Sequence, residues 1–417
     1  MSFSRRNFLK TATAGAAAVA IPPVVQGAGQ GGPSWQALDE AAARPVLKTS
    51  FFTTPVIIES LELLRYGNNF LCRVRSKDGA EGISVGNNDQ MRSLYPMFTN
   101  RLRGFFIGKN AIELEKLLEE VYVWQSNYKH QGLGLWIPLA TIEFAILDML
   151  GQIAGKSMGE LIGDIHHRNI AVYQANGDRG KTPEETLELI RRDVESSDAR
   201  ALKFKLGGRM SNNYEKPAGR TEKLIPMVRK AFGDDMVIYA DSNGSYTVDE
   251  AIRIGRIMEE YRYDFYEEPV PFDWYEETME VARALKIPIA GGEQEPSMRN
   301  FRWLIGHGAL KIVQPDMFYF GGMIRSMKVA RMAEAAGMTC TPHISGSGLG
   351  FLYMMHFVSA LPNAGPYHEF KGFNKELPFT CDTSPLVSDK GVVTVPSGPG
   401  LGIRIDPGYI ARHELVQ

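Results

Sequence analysis

The sequence predicts an α/β protein: a TIM-like (β/α) barrel preceded by an N-terminal α+β capping domain. Three observations carry this. Seven brief apolar or β-branched runs end in charged or polar residues: ALKFKLGG (201–208), MVIYADSN (236–243), DFYEEP (264–269), IPIAGGE (287–293), LKIVQPD (310–316), MTCTPHI (338–344) and PYHEF (366–370). From Asp241 onward those late residues recur about every 25 positions, the length of one strand, one helix and their loops. Helical patterns fill the intervals, and a different order, an antiparallel sheet followed by helices, precedes them.

Composition bounds the function. At 417 residues the chain has room for a barrel of about 250 residues and a second domain. The formal net charge is −2, with no basic stripe and no charge block, which argues against nucleic acid as a partner and points to a small-molecule ligand. Cys72, Cys340 and Cys381 are scattered and form neither a disulfide framework nor a paired metal motif.

Residues 1–30, MSFSRRNFLKTATAGAAAVAIPPVVQGAGQ, stand apart. Arg5 and Arg6 precede Phe8, Leu9 and Lys10, then a mild Ala-rich run too short for a membrane span. SRRNFLK resembles a twin-arginine export signal, which implies an exported, periplasmic protein that crosses the membrane already folded.

The capping domain is expected over 46–165. VLKTSFFTT and IIESLELLRY read as strands, and FLCRVRSKDGAEGISVGN as a hairpin around Asp78-Gly79, a favoured tight-turn pair. AIELEKLLEEVYVW (111–124) and LATIEFAILDMLGQIAGKSMGELIGD (139–164) have helical spacing. The barrel is expected over 166–375: IAVYQAN (170–176) is its first strand, and the seven runs supply strands two to eight. TEKLIPMVRKAF, DEAIRIGRIMEEY and GMIRSMKVARMAEAAG are among the helices between them. In the C-terminal segment, 376–417, GVVTVPSGPGLGIRID reads as short strands returning to the cap.

Barrel enzymes place catalytic groups at the C-terminal ends of strands. Asp241, Glu267 and Glu293 end three consecutive strands. Three converging carboxylates repel unless a cation joins them, and all-oxygen ligation suits Mg²⁺. Asn243, two residues past Asp241, faces the same side and can orient a ligand or touch substrate. Lys203 and Lys205 also share a face; two ammonium groups inside a barrel each lower the other's pKa, and a lysine so depressed can act as a general base. Asp316 and His343 end adjacent strands, where the carboxylate fixes the imidazole's tautomer. Glu369 ends strand eight and can hydrogen-bond a substrate carboxylate. His368 should face away and be structural, and His307 and His356 have no partner legible in the sequence. The loop GGRMSNNYEKPAGR (207–220) offers Arg209, Asn212 and Asn213 to read hydroxyls, and Ser345–Gly348 forms a Gly-rich turn after strand seven.

Taken together, KxK (Lys203–Lys205), DxN (Asp241–Asn243), EEP (Glu267–Pro269), GGE (Gly291–Glu293), QPD (Gln314–Asp316), TPH (Thr341–His343) and the terminal HEF resemble the enolase superfamily. Within it they look like the mandelate racemase/muconate lactonizing enzyme family, in its mandelate racemase-like subgroup. The resemblance spans about residues 46–410 and implies a modified (β/α)7β barrel. It further implies that Asp241, Glu267 and Glu293 ligate Mg²⁺, that Lys205 is the base on one face with Lys203 tuning it or touching the substrate carboxylate, and that His343, held by Asp316, serves the other face. Glu369 would donate to an enediolate, and Glu268 is the lesser ligand of its pair. Enolase-superfamily sites use such a Lys or His base with Mg²⁺.

Two bases on opposite faces permit dehydration or racemisation. Many family members with both groups resemble acid-sugar dehydratases, and the polar loop at 207–220 favours a polyol acid, so the resemblance implies a Mg²⁺-dependent sugar-acid dehydratase giving a 2-keto-3-deoxy acid. The alternatives are a racemase, epimerase or cycloisomerase of a hydroxy acid and, in another class, a non-catalytic periplasmic sugar-acid binder. The resemblance also implies a homo-oligomer.

Overall fold

The computed structural model describes residues 33–346, 348–370, 372 and 377–417; the export signal at 1–30 and Ser347 of the Gly-rich turn lie outside the described residues. Helix α1 (Trp35–Ala43) is capped by the Ser34 hydroxyl, which accepts from Ala37 N at 3.1 Å. The capping sheet follows, with β1 (Ile58–Tyr66), β2 (Asn69–Ser76) and β3 (Glu81–Val85) antiparallel in sequence order. The β2–β3 turn is where Asp78-Gly79 predicts it, with Gly79 at φ 86° and its N–H on Ser76 O at 2.9 Å.

The segment 46–54, expected to be a strand, is instead irregular with one short helical turn at Thr49–Phe51. Its N–H groups at Val46 and Leu47 donate to the Glu115 carboxylate at 2.7 and 2.9 Å, so a side chain takes the place of a neighbouring strand.

The longer helices over the cap are α2 (Asn88–Met97), α3 (Leu114–Val123) and α4 (Leu133–Ala154). Helix α4 is apolar almost all round, and by length and composition it could cross a membrane. Here 89% of its most apolar window is buried inside the protein, which makes it a core helix. It lies directly on the sheet: a Cβ at Gly82 of β3 would come within 2.2 Å of Ala145 O, so glycine sets the approach distance.

The barrel strands are β4 (Asn169–Asn176), β5 (Ala201–Lys205), β6 (Val237–Asp241), β7 (Phe265–Glu267), β8 (Ile289–Gly291), β9 (Ile312–Val313), β10 (Thr339–Cys340) and β11 (His368–Glu369). They are parallel and pair in sequence order from β4 to β10, and β11 returns to β4. Cys340 N and O bond Asn363 O and Gly365 N at 2.9 and 3.0 Å, a parallel bridge between β10 and the segment that leads into β11. The helices between strands are α5 (Pro183–Ser197), α6 (Arg220–Phe232), α7 (Val248–Glu260), α8 (Tyr275–Ala284), α9 (Met298–Gly306), α10 (Met323–Ala335) and α11 (Gly350–Ser359). Helix α5 starts where its sequence says it should: Thr182 and Glu185 form a reciprocal capping box and Pro183 takes the first turn.

Strand periodicity fills the barrel. Tyr239 lies two residues before Asp241 and Phe265 two before Glu267, so both point inward one layer below the acids. Their rings stack at 3.8 Å, and Tyr173 of β4 meets Tyr239 edge-on. This aromatic layer, with Ala201 and Ala290, is a dry floor beneath the charged layer.

After the barrel come β12 (Phe379–Thr380), β13 (Val392–Thr394), β14 (Arg404–Ile405) and β15 (Glu414–Leu415). Only β15 joins the capping sheet, beside β1; β13 pairs antiparallel with β4 of the barrel, and β12 with β14.

Candidate active site at the strand ends

Strand register brings the polar residues together. Lys205 is the Cα partner of Asp241, and Asp241 of Glu267. Asp241, Glu267 and Glu293 each offer an oxygen, all within 4.8 Å of one another, and all three side chains are buried. Glu267 Oε1 and Glu293 Oε2 accept no hydrogen bond, and a buried charged acceptor left so is costly. A hard divalent cation is the partner such an all-carboxylate donor set fits.

The two lysines divide. Lys205 pairs with Asp241 Oδ2 and keeps some exposure. Lys203, 2% exposed, reaches Glu267 Oε2 at 2.8 Å and Glu369 Oε2 at 3.6 Å, with its ammonium over the Tyr173 ring. Mutual depression of the lysines, expected from spacing, does not describe Lys203. Burial opposes its charge, but Glu267 and Glu369 more than offset that and hold its pKa well above the usual value. Glu369 also accepts from Tyr173 OH at 3.2 Å.

His343 Nδ1 lies 2.6 Å from Asp316 Oδ2, and its Nε2 faces Glu293 Oε2 at 3.4 Å. Burial disfavours the imidazolium, yet the Glu293 and Asp316 carboxylates lift the imidazole to about 9. Asp316 is itself held by Phe318 N and Tyr319 N on Oδ1 at 2.8 Å, and by Ser345 N on Oδ2 at 2.5 Å.

Asn243 is the hub. Its Nδ2 donates to Asp241, Glu268 and Glu293 at 3.2, 3.1 and 3.2 Å. Its Oδ1 accepts from Arg179 at 2.5 Å and Arg209 at 3.4 Å. Asn243 and Glu268 both adopt positive φ, 41° and 43°. That conformation is mild for Asn and strained for Glu. Glu268 lies outside the triad, and burial together with Glu293 and Asp241 raises its pKa well above normal.

Some expectations do not meet the site. The Asn213 side chain bonds Thr247, with N→Oδ1 at 2.9 Å and Nδ2→Oγ1 at 3.1 Å, so it pins the loop instead of reading hydroxyls. Asn212 is exposed. His368 and His356 bond backbone carbonyls of Gly365 and Leu401 at 3.0 Å, and burial depresses both to about 4, so they are structural. His307 stacks on Trp303. Sequence reasoning missed Arg179, whose Nε is buried without a hydrogen-bond partner. Its signal was position alone: three residues past the end of the first barrel strand, where every later strand carries a functional candidate.

This ring of strand-end groups has a counterpart among known proteins. A model of the enolase C-terminal domain-like family matches residues 185–409, over half of the chain. The chain belongs to the enolase superfamily. A crystal structure titled mandelate racemase/muconate lactonizing protein from Paracoccus denitrificans, complexed with magnesium, superposes at a TM-score of 0.78 and 25% identity, over 87% of this chain and 99% of that one. D-galactarolactone cycloisomerase of Agrobacterium fabrum is 29% identical over 75% of this chain and 82% of its own length. Arabinonate dehydratase of Saccharolobus solfataricus is 28% identical over 72% and 79%. The protein is thus an enolase-superfamily lyase or isomerase of the mandelate racemase-like kind. A twin-arginine translocation signal matches residues 2–22, so this enolase-superfamily enzyme carries an export signal.

Proposed function

We propose that this protein is a periplasmic, Mg²⁺-dependent dehydratase that converts a sugar acid to a 2-keto-3-deoxy acid. One observation carries the reading: Lys205 and His343 meet the same carboxylate cluster from two sides, Lys205 at Asp241 and His343 at Glu293. Asp241, Glu267 and Glu293 would hold the metal, which when bound supplies positive charge to the substrate carboxylate as its α-proton leaves. Lys205 takes that proton on one face. His343, protonated on both ring nitrogens and held at Nδ1 by Asp316, presents Nε2–H to the other face and gives that proton to the departing β-hydroxyl. Lys203, fixed by Glu267 and Glu369, sets positive charge beneath the carboxylate subsite. Arg179 and Arg209, converging on Asn243, face the distal polar part of the substrate. The aromatic floor keeps water from below.

The same two groups can instead invert or cyclise a substrate, and the relative named D-galactarolactone cycloisomerase favours this as the second reading. The experiment that separates them is NMR in D₂O with Mg²⁺ and a panel of hexonates, pentonates, aldarates and uronate-derived acids. Keto-deoxy signals support dehydration. Deuterium uptake at the α carbon without elimination moves the assignment to racemase, epimerase or cycloisomerase. No exchange with any acid, on protein that binds Mg²⁺, overturns the sugar-acid reading.

A further inference from the structure

The capping domain reaches the His343 side of the site through one side chain. Asn87 stands at the end of β3 and N-caps α2, its Oδ1 accepting from Gln90 N at 3.3 Å. Its Nδ2 donates to Ser345 Oγ at 2.9 Å, across the boundary between cap and barrel. The Ser345 hydroxyl in turn donates to Asp316 Oδ1 at 3.1 Å, and Asp316 Oδ2 holds His343 Nδ1 at 2.6 Å. Asn87 is 2% exposed and Ser345 7%, so water does not compete for these bonds.

Each donor in this chain is fixed by what lies behind it. A hydroxyl has one hydrogen. With Asn87 donating to it, Ser345 Oγ is left to donate to Asp316. Asp316 then has every oxygen direction occupied, by Phe318 N, Tyr319 N, Ser345 N, Ser345 Oγ and His343. A carboxylate so tethered cannot rotate, and the imidazole it holds is aimed.

We infer that Asn87 is a positioning residue: docking of the capping domain, through Asn87 and Ser345, aims the His343 imidazole at its face of the substrate. The inference rests on the proposed role of His343 and adds a residue from a different domain to it. It also implies an asymmetry: the hydrogen bonds of Asn87 reach His343 through Ser345 and Asp316, and Lys205 lies beyond His343 and Glu293, so the relay bears first on the His343 half of the reaction.

Asn87→Asp is the discriminating variant. Asp caps a helix as well as Asn does, so α2 keeps its cap. The new carboxylate cannot donate, and it attracts the Ser345 hydrogen away from Asp316. Full-length mature protein with Mg²⁺ is compared with wild type on the acid it turns over, in D₂O. Product, by elimination or inversion, needs His343; deuterium in recovered substrate needs only Lys205. The ratio of product to deuterated substrate should fall about tenfold, the weight of one hydrogen bond to a charged group, with the melting temperature unchanged. Ser345→Ala should give the same loss, and the double variant no further one, because the two act through one chain. An unchanged ratio, or losses that add, overturns the inference. The ¹⁵N shifts of the His343 ring, read without substrate, report the same aim independently. They should move in Asn87→Asp, and unmoved ring shifts overturn the inference. Ring shifts that move in a protein with no exchange on any acid would keep the relay and remove the proposed reaction.

Discussion

The Arg220 guanidinium donates to the main-chain carbonyl of Lys205 at 3.0 Å. The same side chain reaches Lys181 O at 3.1 Å, Asp178 O at 2.9 Å and Thr186 Oγ1 at 3.2 Å. At 1% exposure it has no carboxylate within salt-bridge reach among the described residues; backbone carbonyls alone receive its charge, with one hydroxyl. It therefore joins the loop that carries Arg179 to the strand end that carries Lys205.

Replacing Arg220 by Met removes the fork and takes this donor from three partly buried carbonyls. Each such acceptor costs about 1–3 kcal/mol. Urea unfolding should show a loss of about 3–5 kcal/mol at an unchanged slope. Arg220→Lys should recover little of it, because a single ammonium cannot span the acceptors.

Glu143 on α4 accepts from Met323 N at 2.6 Å and Ile324 N at 3.0 Å, capping barrel helix α10 with a carboxylate from the capping domain. Gly322 makes room for it: a Cβ there would lie 1.8 Å from Glu143 Oε2. Burial pushes the carboxyl up to about 8, against the opposing backbone bonds. In the unfolded chain the group titrates near 4.3. The folded state thus holds the extra proton between these values, and its contribution is complete below about pH 4 and lost as pH rises through about 8. Unfolding free energy should fall with pH across that window by up to about 1.4 kcal/mol per unit. Glu143→Gln, which cannot titrate, should remove that component, so the wild-type-minus-variant difference against pH isolates it; a flat difference contradicts the prediction.

What was legible in the sequence was whatever repeats. Asp241, Glu267, Glu293, Asp316, His343 and Glu369 sit at one phase of a β/α period, and parallel pairing in register brings that phase to one end of the barrel. What was not legible depends on contacts between distant segments. Asn87 and Glu143 lie in the cap and touch Ser345 and Met323, 258 and 180 residues away. Nothing within their own windows marks them. The strand expected at 46–54 had the right residue types but no neighbour to pair with. Asn213 had the right chemistry in the right loop, but loop backbone turns it toward Thr247, a direction no side-chain pattern encodes.

Mg²⁺ should stabilise the wild type logarithmically with its concentration, by about 2.7 kcal/mol at a hundredfold excess over Kd. Glu293→Gln removes one of three converging anions and one donor. Without Mg²⁺ the variant should unfold somewhat below wild type, because Glu293 also pairs with the His343 ring at 3.4 Å. With Mg²⁺ it should show little of the wild-type rise. Thermal unfolding with and without the ion measures both arms, and an equal rise in the two proteins removes Glu293 from the ligand set.

The two lysines of the KxK motif should fail in different ways. Lys203 lies between Glu267 and Glu369 over the Tyr173 ring, with its side chain 2% exposed. Lys203→Ala leaves buried acids without their cation and should cost about 3–5 kcal/mol of stability. Lys205 is partly exposed at the mouth of the barrel, and among the described residues its ion pair is with Asp241 alone. Lys205→Ala should cost less stability than Lys203→Ala, because it leaves one acid, itself held by Asn243 N at 2.7 Å and Nδ2 at 3.2 Å, where Lys203→Ala leaves two, yet lose α-proton exchange by several orders of magnitude. Calorimetry and deuterium uptake on the same two preparations test the split. Its logic is the layering of the barrel: two residues along one strand, both facing inward, one fully enclosed by charge and aromatic rings and the other open to substrate. Equal stability losses in the two variants would mean that this layering does not separate a structural lysine from a reactive one.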